Sequence, residues 1–115
     1  MNSIRLKRLN NTYMEEISKI IMEEIKDEDV KKAVITGVDV TNDLSYAKVY
    51  FTVLDRSEKG LVFTALNGAS GFIRKCLADR IEIRNTPELK FIYDDSEEYG
   101  EKIDKIIEDI NKDEK

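Results

Sequence analysis

The chain has 115 residues, 41% of them apolar and 37% charged, which suits one compact domain with short, strongly amphipathic elements and excludes a disordered tail or a deep multidomain enzyme. One cysteine and no histidine rule out an internal disulfide, Cys/His zinc sites and every histidine-based catalytic triad. The formal net charge of −5 is unevenly spread: residues 93–115 carry ten acids against four lysines, and everything before them sums to +1. The molecule is therefore polarised, with one acidic end.

Apolar runs last only a few residues, well short of the ~20 of a membrane span, so a soluble, cytoplasmic protein without a membrane partner is expected. From Ile4 to Ile25 the apolar positions Leu6, Leu9, Tyr13, Ile17, Ile20, Ile21 and Ile25 trace one helical stripe, opposite Glu15, Glu16, Lys19, Glu23, Glu24 and Lys26. The stretch from Asp27 to Lys32 ends this helix. Ala33 to Thr41 is rich in β-branched residues and alternates, which predicts a strand with Val34, Val38 and Val40 on one side and Ile35, Gly37 and Asp39 on the other. Asn42-Asp43-Leu44-Ser45 supplies turn chemistry. Tyr46 to Leu54 resumes the alternation, with Ala47, Val49, Phe51 and Val53 facing inward, so the two strands form a hairpin.

Ser57 is placed to cap a helix containing Leu61, Val62, Ala65 and Leu66. Asn67-Gly68-Ala69-Ser70-Gly71 weakens it before Phe72, Ile73, Cys76, Leu77 and Ile81 restart the stripe, which predicts two helices meeting at a kink. Asn85-Thr86-Pro87 stops the second, and Leu89, Phe91 and Tyr93 alternate as a third strand, expected to run parallel to the second after a helical crossover. Asp95-Ser96-Glu97-Glu98 reads as a capping box, followed by Tyr99, Ile103, Ile106, Ile107 and Ile110 at helical spacing. The expected architecture is α+β: a three-stranded sheet with helices on one face. Residues 1–111 form one domain, and 112–115 a frayed charged end.

Four stretches, in order and spanning nearly the whole chain, resemble the ribosome-binding factor A family of bacterial small-subunit maturation factors. They are the basic helix start from Arg5; Ile35-Thr36-Gly37-Val38-Asp39-Val40-Thr41-Asn42-Asp43-Leu44-Ser45-Tyr46-Ala47-Lys48-Val49-Tyr50; Leu66-Asn67-Gly68-Ala69-Ser70-Gly71-Phe72-Ile73-Arg74; and Ile83-Arg84-Asn85-Thr86-Pro87-Glu88-Leu89-Lys90-Phe91 with Asp94-Asp95-Ser96. The resemblance implies a single K-homology-like domain of the second topological type, in the order α-β-β-α-kink-α-β-α. In it an Ala-x-Gly kink, fitted by Ala69-Ser70-Gly71, replaces the usual Gly-x-x-Gly loop. It also implies a non-enzymatic factor that binds the 30S subunit and 16S rRNA, supports late maturation and 5′-end processing, and matters during cold growth. Neither a cofactor, a metal nor a small-molecule substrate is expected, and the protein should act as a monomer.

The candidate RNA-contacting residues are Arg74, Lys75, Arg80 and Arg84 beside the kink, Arg5, Lys7 and Arg8 at the start of the first helix, and Lys48 on the hairpin. Tyr46 and Tyr50 are stackable rings, although a strand aromatic usually packs under a neighbour. Ala69, Ser70 and Gly71 are assigned mainly to architecture, so Gly71→Leu should damage folding and binding together. Cys76 lies on the apolar stripe and is expected to be an inert packed thiol; Asp94 and Asp95 are explained by capping. The rival reading is a protein-interaction adaptor whose partner engages the acidic C-terminal helix.

Overall fold

A computed structural model of the protein describes residues 3–82 and 85–96. The order is α1 (Ser3–Glu23), α2 (Glu28–Lys31), β1 (Val34–Val40), β2 (Tyr46–Thr52), a short 3-10 turn (Arg56–Glu58), α3 (Lys59–Arg80) and β3 (Glu88–Tyr93). The strands form one sheet in the order β1-β2-β3. The hairpin β1–β2 is antiparallel and β3 lies parallel to β2, with α3 as the crossover expected from sequence. The α+β class and the three-stranded sheet are as read. The helix expected after Ser96 lies outside the described residues.

One face of the sheet holds the core. Ala47, Val49 and Phe51 of β2 are fully buried, with Leu89 and Phe91 of β3 beside them in matching register. They meet Tyr13, Ile17 and Ile20 of α1 and Val62, Leu66, Ile73 and Leu77 of α3, all at 0% exposure. Burying a large apolar side chain contributes about 1.5–3 kcal/mol, so this cluster decides how the two long helices lie on the sheet.

The faces of β1 differ from the sequence reading. Ile35 is buried and Val34 is exposed, the reverse of simple alternation with Val38 and Val40. The cause is a bulge. Ile35 pairs with Phe51 but Gly37 pairs with Tyr50, so Thr36 is an extra residue and the inward phase changes at it. The Thr36 hydroxyl donates to Asp94 at 2.7 Å, tying the bulge to the end of β3.

The β1–β2 turn is held by one carboxylate. Asp43 Oδ1 accepts from the Ser45 hydroxyl at 2.6 Å, the Ser45 amide at 3.0 Å and the Thr41 hydroxyl at 2.8 Å. These bonds, the Ser45 hydroxyl first, pull the Asp43 carboxyl down to about 2. Leu44 beside it sits at φ 62°, a conformation disfavoured for a branched side chain, and its side chain packs on the core. Backbone cost is thus exchanged for apolar contact.

Two helix boundaries are corrected. The segment expected only to terminate α1 contains the short helix α2, whose Asp27 cap accepts from the Asp29 amide at 2.9 Å and whose Val30 is fully buried. Asp55, not Ser57, caps the entry to the crossover, accepting from the Ser57 amide. Beyond β3 the Asp94 carboxylate accepts from the Ser96 amide at 2.9 Å.

The expected interruption at residues 67–71 is also corrected, because α3 is one continuous helix from Lys59 to Arg80. A glycine costs a helix about 1 kcal/mol relative to alanine, less than the burial of Leu66 before the segment or Ile73 after it. Ala69 and Ser70 continue the inward stripe as small, half-buried residues, and the Ser70 hydroxyl turns back to the Asn67 carbonyl at 2.9 Å. Such back-bonding is a device that bends helices without breaking them. Leu61 and Phe72, read from sequence as core, are 51% and 48% exposed.

Candidate nucleic-acid interface

The first helix starts with Arg5, Lys7 and Arg8, all exposed and with no acid in its first turn. A turn later the helix is fixed to the sheet, since Asn10 Oδ1 accepts from the Val40 amide at 2.8 Å at the end of β1. At this same end the Glu88 amide donates to the Ser45 carbonyl at 3.0 Å, bringing β3 to the start of β2. Two residues earlier the Thr86 carbonyl receives Arg74, whose Nε and Nη2 donate at 3.2 and 2.8 Å. This chain of bonds puts the α1 start and the Arg74 turn of α3 on the two flanks of one end of the sheet. The sheet itself separates them by two strand spacings, about 10 Å.

Of the residues nominated from sequence, Arg5, Lys7, Arg8, Lys48 and Lys75 are exposed and form no ion pair with another described residue. Lys75 follows Arg74 on the outward side of α3. Lys48 is elsewhere: it lies on the solvent face of β2, paired in register with Asp39 on one side and Lys90 on the other. Lys90 in turn covers the Tyr46 ring at 4.2 Å from its centroid, and Tyr50 is half-buried on the same face. Arg84 lies outside the described residues.

Arg80 has a different fate from the other bases. Its Nη1 lies 3.2 Å from Glu16 Oε2, and its Nη2 lies 3.0 Å from Glu23 and 3.3 Å from Glu24. The bonds to Glu23 and Glu16 raise its already high pKa further. Two carboxylates of α1 and that of Glu24 just past its end compensate this one guanidinium, so its charge clasps α1 to α3 and adds little to an outward cationic field. Sequence proximity to Arg74 could not reveal this, because the partners lie 56–64 positions away.

Sequence reading missed Phe72. Its ring is 48% exposed on α3, between Gly71 and Ile73, with Gly68 one turn before it and Lys75 almost one turn after. A Cβ built on Gly68 or Gly71 would meet nothing within 4 Å, so both lie on open surface and neither is demanded by packing. Nor does either adopt a positive φ. A Cβ at Gly71 has room, so this glycine keeps a surface bare rather than a turn possible. The signal in sequence was a glycine pair flanking an aromatic at i−4 and i−1 spacing.

Cys76, Asp94 and Asp43 are accounted for structurally. The Cys76 thiol is half-buried on the stripe, and burial pushes its pKa up, as befits an inert packed thiol. Asp94 is engaged by Ser96 and Thr36, and Asp43 by Ser45 and Thr41. No helix among the described residues is long and apolar enough to cross a membrane.

The model of one family, ribosome-binding factor A, matches residues 5–107. The chain belongs to the ribosome-binding factor A family. A ribosome-binding factor A from Staphylococcus epidermidis is 45% identical over 116 residues, covering 100% of both chains. One from Caldanaerobacter subterraneus is 46% identical over 112 residues, covering 96% of this chain and 92% of the relative. Among solved structures, the crystal structure of ribosome-binding factor A from Thermus thermophilus has TM-score 0.68 at 22% identity, covering 76% of this chain and 94% of that one. A homology model of the Thermus thermophilus ribosome-binding factor A, fitted into a cryo-EM map of its 30S complex, has TM-score 0.63 at 22% identity, covering 76% and 93%. These two likenesses concern the fold.

Proposed function

We propose that the chain is a non-enzymatic assembly factor that docks on the 30S subunit, contacts 16S rRNA and supports its late maturation, including processing near the 5′ end and growth in the cold. Membership of the ribosome-binding factor A family supports the docking, as does the fitting of the Thermus thermophilus protein into a map of a 30S complex. The observation that carries the RNA contact is the gathering of exposed cations at one end of the sheet, Arg5, Lys7 and Arg8 on one flank and Arg74 with Lys75 on the other. Phosphates would be met by these side chains and a base by the Phe72 ring, with Gly68 and Gly71 allowing close backbone approach. Ala69, Ser70 and Gly71 thus serve both the inward packing and the bare outer surface, and Lys48 with Lys90 forms a lesser, separate patch.

Binding of this kind selects one rRNA arrangement. It shifts the population only by the difference in affinity between conformers. The unit that docks is taken as residues 1–111, a K-homology-like domain acting as a monomer in the cytoplasm, with residues 112–115 as a charged end. Cosedimentation with immature 30S, mature 30S and 50S particles tests the proposal. Preference for the immature small subunit, weakening as salt rises, is expected; equal association with all three particles would overturn it.

A further inference from the structure

Helix α1 runs alongside β1 in the opposite direction: Asn10 meets Val40 at one end, and Ile21 and Met22 meet Val34 and Ile35 at the other. From Asn10 to Met22 the helix rises about 18 Å and β1 spans about 20 Å, so the two elements stay side by side over the whole strand. β1 is an edge strand of the sheet. One hollow lies between the β1 edge and α1, and a second, lined among the described residues by α1 alone, adjoins it at Ser18. The first, of about 510 Å³, is lined by Met22, Lys31, Val34 and their neighbours. The other, of about 490 Å³, is lined by Asn11, Met14, Glu15 and Lys19 as well as Ser18.

We propose that this channel is a docking groove for an extended protein segment, which adds to the β1 edge and covers the Met14–Ser18–Met22 flank of α1. Three observations converge on that occupant. The Val40 amide points away from β2, since Asn10 takes it, and in an antiparallel ladder the amide two positions back, Val38, faces the same free side. An incoming strand therefore finds a backbone donor there. Side chains alternating along such a strand would enter the hollows, where Met22 is 75% and Val34 46% exposed and the flexible methionines can close around them.

Charge gives the segment its direction. Lys31 lines one hollow and Glu15 the other, and neither forms an ion pair with a described residue, whereas Lys19 beside Glu15 is paired with Glu16 at 3.8 Å. The fitting segment has an acidic residue at the Lys31 end, a basic residue at the Glu15 end, and apolar residues at alternate positions between. The hollow against β1 is walled mainly by Ile21, Met22, Ala33, Val34 and Ile35, which cover an apolar side chain and offer little to a phosphate. The surface is independent of the cationic end proposed for rRNA.

The test uses the full chain, isotopically labelled, and a synthetic seven-residue peptide with lysine first, glutamate last, valine alternating with threonine between, and blocked ends. Saturable NMR shifts at the Ile35 and Val38 amides and the Met14 and Met22 methyls are expected. Ser18→Arg, which fills the waist of the groove, should weaken binding at least tenfold. Val38→Pro removes the free amide without touching a bond to β2 and should do the same. Lys31→Glu should reverse the preference toward a peptide ending in lysine. Circular dichroism confirms the fold of each variant, and Ser18→Arg suffices if Val38→Pro unfolds. Absence of saturable shifts, or shifts indifferent to Ser18→Arg, would overturn the proposal. So would a dimer of the chain alone that Val38→Pro dissociates, which makes a second copy the occupant. Loss of binding to protein-free 16S rRNA in folded Ser18→Arg would assign the groove to RNA instead.

Discussion

Arg74 donates from both Nε and Nη2 to the carbonyl oxygen of Thr86, 12 residues on. This fork holds the guanidinium at the end of the sheet where β3 begins, while its remaining donors stay exposed. Arg74→Glu should lower affinity for immature small subunits by about tenfold, roughly 1.4 kcal/mol, and flatten the salt dependence. Arg74→Lys keeps the charge but loses the planar fork, and a loss of only a few-fold is expected. Cosedimentation across a salt series measures both.

Arg80 should behave in the opposite way. Its partners Glu16, Glu23 and Glu24 are intramolecular, so Arg80→Gln is expected to lower the melting temperature and leave small-subunit affinity within about twofold. Thermal unfolding and cosedimentation on the same preparation separate the two effects.

Gly71→Ala tests the bare surface. The added methyl group meets nothing within 4 Å and removes a helix-weakening glycine, so the chain should gain about 1 kcal/mol in urea unfolding. If the surface touches rRNA, the same variant binds small subunits more weakly despite its higher stability.

Tyr13 is fully buried and its hydroxyl has no hydrogen-bond partner among the described residues. Tyr13→Phe should therefore be neutral or stabilising, by about 1 kcal/mol. Burial also pushes its pKa from the ordinary 10.0 to about 12. An unfolded tyrosine releases its proton first as pH rises from 10 to 12, so the parent chain loses stability there, on the order of 2 kcal/mol, and Tyr13→Phe loses less. Denaturant titrations at pH 8 and 11 show the difference.

At the acid side Asp43 dominates the hairpin turn. Its carboxyl, lowered to about 2 by Ser45 and Thr41, contributes stability that is full above the ordinary 3.8 and is lost as pH falls through 2. Asp43→Asn should lower stability at pH 7 and remove that part of the acid dependence, as read by circular dichroism.

The regular elements were legible because their periods are written in one-dimensional order. The stripe Tyr13-Ile17-Ile20 and the alternation Ala47-Val49-Phe51 are the buried rows of α1 and β2. Their opposite faces were predicted by the same rule. What failed were places where a single residue shifts a phase. Thr36 inserts one position into β1 and turns Ile35 inward, and the burial of Leu66 and Ile73 carries α3 through two glycines that propensity alone would read as a break.

The sequence by itself determined the family, the order of the strands and long helices, and the apolar faces of α1, β2 and β3, since these depend on local spacing and on ordered motifs. Tertiary structure decided what each charge does. Arg74 and Arg80 are six positions apart on one helix, yet one reaches a backbone carbonyl beside β3 and the other the carboxylates of Glu16, Glu23 and Glu24 at the first helix. A cation's outward field depends on the opposite charges packed within a few ångströms of it, and that proximity exists only after the helices have docked on the sheet.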